Sequence, residues 1–141
     1  MDYDLHKKYE EVSLPVDLRI LFADLIMADE ATRKTFLTIG KNTLNTDSFG
    51  ITIKQIADTV KINRKVQNRD GTFNTVHTNI DRKHVERIVD KLLAMSICYY
   101  RSIPPSKVIN LTTRGKEVTA EIKKRIEETK NKGDEQNVVH E

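Results

Sequence analysis

The most regular apolar periodicity in the chain begins just after Asp81, where Val85, Ile88, Val89, Leu92 and Leu93 recur at i, i+3, i+4, i+7 and i+8. That spacing puts them on one face of a helix. Asp81 predicts the helix start, because its carboxylate can accept from the unpaired backbone N–H groups of the first turn and favours the positive end of the helix dipole. Further upstream, Val16, Leu18, Ile20, Leu21, Leu25, Ile26, Phe36 and Leu37 follow a mixed periodicity that predicts one long helix or two consecutive ones. Pro15 suits the first turn, and Gly40 with the run "NTLNTDSFG" predicts the end. Between these helices, "TIKQIADTVK" predicts a short one, with Ile53, Ile56, Ala57 and Val60 on one face and Thr52 and Gln55 spaced as a capping box.

Two other stretches alternate as strands do. "KVQN" and "TFNTV" form short extended segments around the turn "RDG", and "ICYYRSI" and "KVINL" form a hairpin turned at Pro104 and Pro105. Thr112 and Thr113 then precede a helix through "GKEVTAEIKKRIEET", with Val118, Ile122 and Ile126 as a narrow stripe. The expected fold class is mainly α with a small β-hairpin (α+β), in one domain at 14–129. Residues 1–13 are expected to be a flexible arm and 130–141 a disordered tail.

Composition narrows the function classes. A hydrophobic share of 38% with 32% charged residues fits a globular protein, and 6% aromatic residues is thin for a single-strand base-stacking platform. The apolar run "ILFA" ends at Asp24, far short of a membrane span, and "MDYDLHKKYEE" has no signal-peptide core. Cys98 is the single cysteine, so no intrachain disulfide is possible. A cytoplasmic protein with no membrane partner is the expectation.

The net charge of +3 conceals a local excess. Residues 61–91 hold Lys61, Arg64, Lys65, Arg69, Arg82, Lys83, Arg87 and Lys91 against Asp70, Asp81, Glu86 and Asp90, a surplus of four, which leaves the remainder at minus one. Such concentration is what a footprint on a polyanion requires, although a salt-bridged solvated face has the same composition.

The element order, with one helix supporting another and a hairpin following, is that of a winged helix-turn-helix with extra N- and C-terminal helices. Arg82, Lys83, Glu86, Arg87 and Lys91 fall off the apolar stripe of the helix at 81–95, which marks it as the candidate recognition helix, with His84 at the edge of that surface. "NIDRKHVERIVDKLLAMSICYY" at 79–100 resembles the turn, recognition helix and first wing strand of the MarR-type winged-helix regulators. "INLTTRGKEV" at 109–118 is similar to the second wing strand of that family, leading through Leu-Thr-x-x-Gly into its C-terminal helix. The resemblance covers roughly residues 50–118. It implies a homodimer joined by terminal helices, here 14–40 and 113–129, that binds a two-fold-related duplex site, often as a repressor.

This chain departs from the family pattern at two places. Residues 63–78 look like an insertion inside the helix-turn-helix, and they bring Arg64, Lys65 and Arg69 beside the recognition helix as candidate contacts to an adjacent phosphate backbone. The wing at 97–111 carries "RSIPPSK" in place of the Asp-x-Arg often found there, leaving Arg101 and Lys107 as its candidate phosphate contacts. Two further roles stay open from sequence: a replication or partition protein of a plasmid or phage, binding repeated sites, and a protein-interaction module on the same core.

Catalytic chemistry finds little foothold. His77 and His84 lack the i, i+4 spacing of paired metal ligands, and the five glycines never approach the spacing of a phosphate loop. No catalytic, metal or cofactor residue is assigned, and no small-molecule effector is identified. Cys98 admits an oxidant-sensing role but sits in a strand where packing is the commoner fate. Tyr99 and Tyr100 alternate faces there, so one is expected to pack and the other to reach a phosphate.

Overall fold

Asp29 divides the long apolar stretch after Pro15 into two helices, because its carboxylate accepts from the N–H of Thr32 at 3.0 Å and so begins a new one. Similar local devices start two later helices. Thr52 and Gln55 complete a reciprocal capping box, and Asp81 accepts from the N–H of His84 at 3.1 Å. The computed structural model describes residues 1–139, with side-chain surroundings defined for residues 1–133. Among the described residues it is an α+β fold of six helices and two antiparallel hairpins. In chain order these are α1 (Tyr3–Lys8), α2 (Val16–Met27), α3 (Glu30–Thr43), α4 (Ile53–Thr59), β1 (Lys61–Gln67), β2 (Phe73–Asn79), α5 (Arg82–Ala94), β3 (Cys98–Ile103), β4 (Ser106–Leu111) and α6 (Thr113–Val139).

One core joins them. Val85, Ile88, Val89 and Leu92 of α5 are buried against Ile26, Phe36, Ile39, Ile56, Ile109 and Ile122, drawn from five other elements. Leu93, placed on the same stripe by its spacing, is half-buried at the margin. The β3–β4 hairpin is widened on both edges: Ile51 exchanges backbone hydrogen bonds with Ile109, and the N–H of Tyr100 donates to the carbonyl of Met1 at 3.1 Å.

Three expectations need correction. The first 13 residues are not a loose arm: α1 lies on β3, with His6 buried and its ring stacked on Tyr99 at 4.0 Å between centroids. Its following turn is held from the far end of the chain, because Arg114 donates to the carbonyls of Tyr9 at 2.8 Å and Val12 at 2.6 Å, and Thr113 donates to Glu10 at 2.6 Å. Gly40 does not end α3 but lies buried within it, where an added Cβ would stand 3.2 Å from Leu111 Cδ1. Close packing, not chain reversal, explains that glycine. At the other end, α6 continues to Val139 through most of the expected tail; residues 140–141 lie outside the described residues.

The Leu-Thr-x-x-Gly run acquires a physical meaning. Thr112 Oγ1 accepts from the N–H of Gly115 at 3.1 Å and donates to the carbonyl of Ser96 at 2.8 Å, which fixes the start of α6 against the β3 side of the core. A Cβ at position 115 would fall 2.1 Å from the carbonyl oxygen of Ile97. Gly115→Ala is therefore expected to lower stability by at least about 1–3 kcal/mol, measured by denaturant unfolding, while Gly133→Ala, with no neighbouring atom within 4 Å, leaves it unchanged or raised.

Burial, and secondarily the positive charge of Arg114, hold the His6 imidazole below its ordinary value of 6.5, whereas Glu10 acts the other way. The folded chain thus prefers neutral His6, and the stability it contributes is complete above pH 6.5 and declines as pH falls below that value. With the intrinsic pH dependence of exchange divided out, the protection of the α1 amides should fall as pH drops from about 6.5 to about 5. His6→Phe should flatten that dependence; an unchanged profile would show that His6 is not its source.

Candidate nucleic-acid interface

The α5 stripe fixes where its charges point. With Val85, Ile88, Val89 and Leu92 inward, helical geometry sets Lys83, Arg87 and Asp90 outermost on one i, i+4, i+7 stripe. Glu86 falls on the flank toward the β3–β4 hairpin, and the negative charges of Asp90 and Glu86 add to burial in pushing the Tyr100 hydroxyl up. His84 and Lys91 fall on the opposite flank, near Asp29, whose carboxyl is lowered chiefly by the Thr32 hydroxyl and to a lesser degree by these two side chains. Of the candidate residues, Arg64, Lys65, Arg69, Arg82, Lys83, Glu86, Arg87, Lys91, Arg101 and Lys107 are exposed and His84 is half-buried.

The β1–β2 hairpin springs from the junction of α4 and α5. The N–H of Ile80 donates to the carbonyl of Val60 at 3.0 Å, so the hairpin leaves and re-enters the body at one point. Its root is fastened on several sides. Ile62 is buried; the side-chain amide of Asn79 donates to the carbonyls of Ala57 and Asp58, both at 3.0 Å, satisfying the last turn of α4. The N–H of Asn63 donates to Glu30 at 2.8 Å, Lys34 Nζ donates to the carbonyl of Lys61 at 2.7 Å, and Arg64 pairs with Asp81 at 3.6 Å. Beyond this root the ribbon is exposed, including Val66, Phe73 and Val76. Residues 63–78 are thus the larger part of an ordered two-stranded ribbon. Strand alternation divides the basic residues of the ribbon, because Arg64 shares a face with Val76 and Lys65 shares the other with Thr75.

The same alternation divides the second hairpin. Arg101 lies opposite Val108 and approaches the Tyr3 ring of α1 at 5.2 Å, whereas Lys107 lies opposite Ser102 and approaches the Tyr100 ring at 5.9 Å. Neither tyrosine of β3 is free: Tyr99 is half-buried beneath His6 and Tyr3, and Tyr100 is half-buried between Lys107 and the acidic flank of α5. Cys98 is fully buried, and burial pushes its thiol up, away from the reactive thiolate.

A cleft of about 740 Å³ opens between the N-terminus and β3, lined by Met1, Asp2, Tyr3, Leu93, Tyr100 and Lys107 among others. Among the described residues, no group of three or more histidine, cysteine, aspartate or glutamate side chains is placed to hold a metal ion, and no helix is long and apolar enough to cross a membrane. The chemistry available on this surface is cationic and hydrogen-bonding, suited to an extended anion. No family model, curated protein or solved structure matches this chain.

Sequence reasoning missed Asn79, Glu30 and Lys34, which root the ribbon. Asn79 immediately precedes a buried isoleucine and a helix cap, but its acceptors, the carbonyls of Ala57 and Asp58, lie more than twenty residues earlier, so no local signal marks it. Nothing in the local sequence marks Glu30 or Lys34 for their roles, which arise only when α3 packs beside β1. Replacing Asn79 by alanine removes two donors from the end of α4 and is expected to cost about 1 kcal/mol. It should also speed amide exchange in β1 and β2 while leaving α5 protected; uniform protection across the ribbon would show that Asn79 does not anchor it.

Proposed function

We propose that this chain is a sequence-specific double-stranded DNA-binding protein, a dimeric transcriptional regulator acting as a repressor. In this reading the fold is a winged helix-turn-helix of MarR-type resemblance, α4 supports α5 as recognition helix, and β3–β4 is the wing. The observation that carries it is the exposed face of α5. A helix locked by four buried residues turns Lys83 and Arg87 outward, with Arg82 in its first turn, between two hairpins that carry Arg64 on one side and Lys107 on the other. Groove readers need that rigidity, since base-edge contacts demand fixed side-chain origins. Glu86 and Asp90 beside the cations supply acceptors for cytosine amino groups and penalise indiscriminate phosphate binding. Arg101 and Lys107 then serve the flanking backbone.

The dimer rests on α2. Leu18, Leu21 and Leu25 form an i, i+3, i+7 seam and are 39%, 47% and 55% exposed, while Ile126 of α6 is 47% exposed. An aliphatic seam at this spacing suits helix-on-helix packing with a second copy.

Footprinting on selected duplex DNA at two salt concentrations tests the reading. A discrete protected site is expected, lost when Lys83 and Arg87 are both replaced by alanine, with binding that weakens steeply as salt rises. Absence of protection at either salt would overturn it and favour a protein-interaction module. One two-fold site fits a repressor, whereas several phased copies would point to replication or partition. Sedimentation of a Leu21→Glu, Leu25→Glu variant should show a monomer where the parent chain is a dimer.

A further inference from the structure

The β1–β2 ribbon has a distribution of charge and apolar surface that a solvated hairpin does not need. Lys61, Arg64, Lys65 and Arg69 against Asp70 leave it with a net charge of three positive units. Strand register puts Arg64 on one face and Lys65 on the other, and Arg69 lies at the turn. The distal end is apolar on both faces as well: Val66, paired with Asn74, is 43% exposed, and Phe73, paired with Gln67, is 63% exposed. A ribbon lying flat on a polyanion would gather its cations on one face. Cations on both faces suit a ribbon standing between two phosphate backbones, which is the situation inside a groove.

Reach and attachment agree with that placement. Seven residues per strand give a ribbon of roughly 23 Å. In duplex DNA, major and minor grooves are separated along the axis by about half of a ~34 Å turn, or roughly 17 Å. The ribbon starts beside the N-terminus of α5, through the Val60–Ile80 hydrogen bond and the Arg64–Asp81 pair, so it can cross one backbone and place its tip in the neighbouring groove. Side-chain hydrogen bonds also stiffen the turn at the tip. Asp70 accepts from the N–H of Thr72 at 3.0 Å and from its hydroxyl at 2.6 Å, while Asn68 bridges to Thr72 and Asn74.

Resting on the reading of α5 as a major-groove helix, we propose that the ribbon is a second DNA-binding element. Its tip enters the adjacent minor groove, with Arg64 and Lys65 facing opposite phosphate backbones, Arg69 of the turn meeting a further phosphate, and Phe73 against the base step. Apolar wedges placed this way partly unstack and bend the duplex. The occupant is duplex DNA because the net charge and the position beside the α5 cations both favour a polyanion over a second copy of a chain that is itself net positive.

The experiment compares the full chain with Phe73→Ser and with Lys65→Ala, Arg69→Ala, two variants confined to exposed positions outside the α5 face. Hydroxyl-radical footprinting and gel-shift bend analysis on the selected site are the readouts. Expected is a minor-groove protection flanking the α5 site that both variants lose, at least about tenfold weaker binding and a smaller bend for Phe73→Ser, and a salt slope lower by about 1.8 for the double variant, about 0.9 per lost phosphate contact. If the chain protects its site and both variants leave footprint, bend and slope unchanged, the ribbon proposal fails while the α5 reading survives. If the unmodified chain protects nothing, the α5 reading itself has failed. If Phe73→Ser instead changes sedimentation of the DNA-free protein, the ribbon packs on a second copy and the proposal is overturned. Unaltered amide exchange in β1, β2 and α5 of both variants confirms that ribbon and body are intact in every arm.

Discussion

The arrangement of the whole surface depends on one backbone hydrogen bond, from the N–H of Ile80 to the carbonyl of Val60 at 3.0 Å. Both residues are buried, so each polar group would be costly without the other. Because the bond closes the base of the ribbon, the chain between them can extend outward while α4 and α5 remain packed as though joined directly. The ribbon adds its own ladder of backbone pairs and needs little from the core beyond Ile62. A long excursion from the middle of a helix pair is tolerated for that reason: its ends already meet.

Asp81 links this constraint to electrostatics. Its carboxyl is held below the ordinary range chiefly by the N–H of His84, with Arg64 and Arg87 adding smaller effects, so the group that begins α5 stays ionised at neutral pH. One side chain thereby sets the helix start and orients a ribbon cation toward it. Along α5, Lys83 and Arg87 stand outward with Asp90 among them, and Glu86 lies on the side of the β3–β4 hairpin. The local excess of positive residues is consequently presented as a bounded patch instead of a uniform coat.

The far ends of the chain are joined by a different means. Arg114, buried at the start of α6, gathers carbonyls from Ser96, Tyr9 and Val12, and so turns the N-terminal segment into part of the body. An arginine suits this position because its planar fork can serve several acceptors at once. Packed there, α1 covers one face of β3 and takes Arg101 onto the Tyr3 ring, whereas Lys107 lies over the Tyr100 ring on the other face, so the hairpin's two cations stand against different neighbours.

How much could be read beforehand follows from the range of each interaction. Capping at Thr52 and Asp81, the α5 stripe and the turn at Pro104 and Pro105 are encoded within a few residues, and local periodicity is enough to place them, whereas the strands of the first hairpin extend toward the body beyond the expected "KVQN" and "TFNTV". The local concentration of basic residues was equally legible, as was their exclusion from the α5 core face. Gly40 misled because a glycine required for close approach looks, in sequence, like one that ends a helix. Docking of α1, the rooting of the ribbon by Glu30, Lys34 and Asn79, and the contact of Arg101 with Tyr3 join residues that lie far apart in the chain. The sequence by itself thus determined α4 and α5 with their caps, the turns of both hairpins and where basic residues concentrate along the chain. Only the tertiary structure decided which of those residues share a face, because strand register and long-range packing leave no periodic signal in the chain.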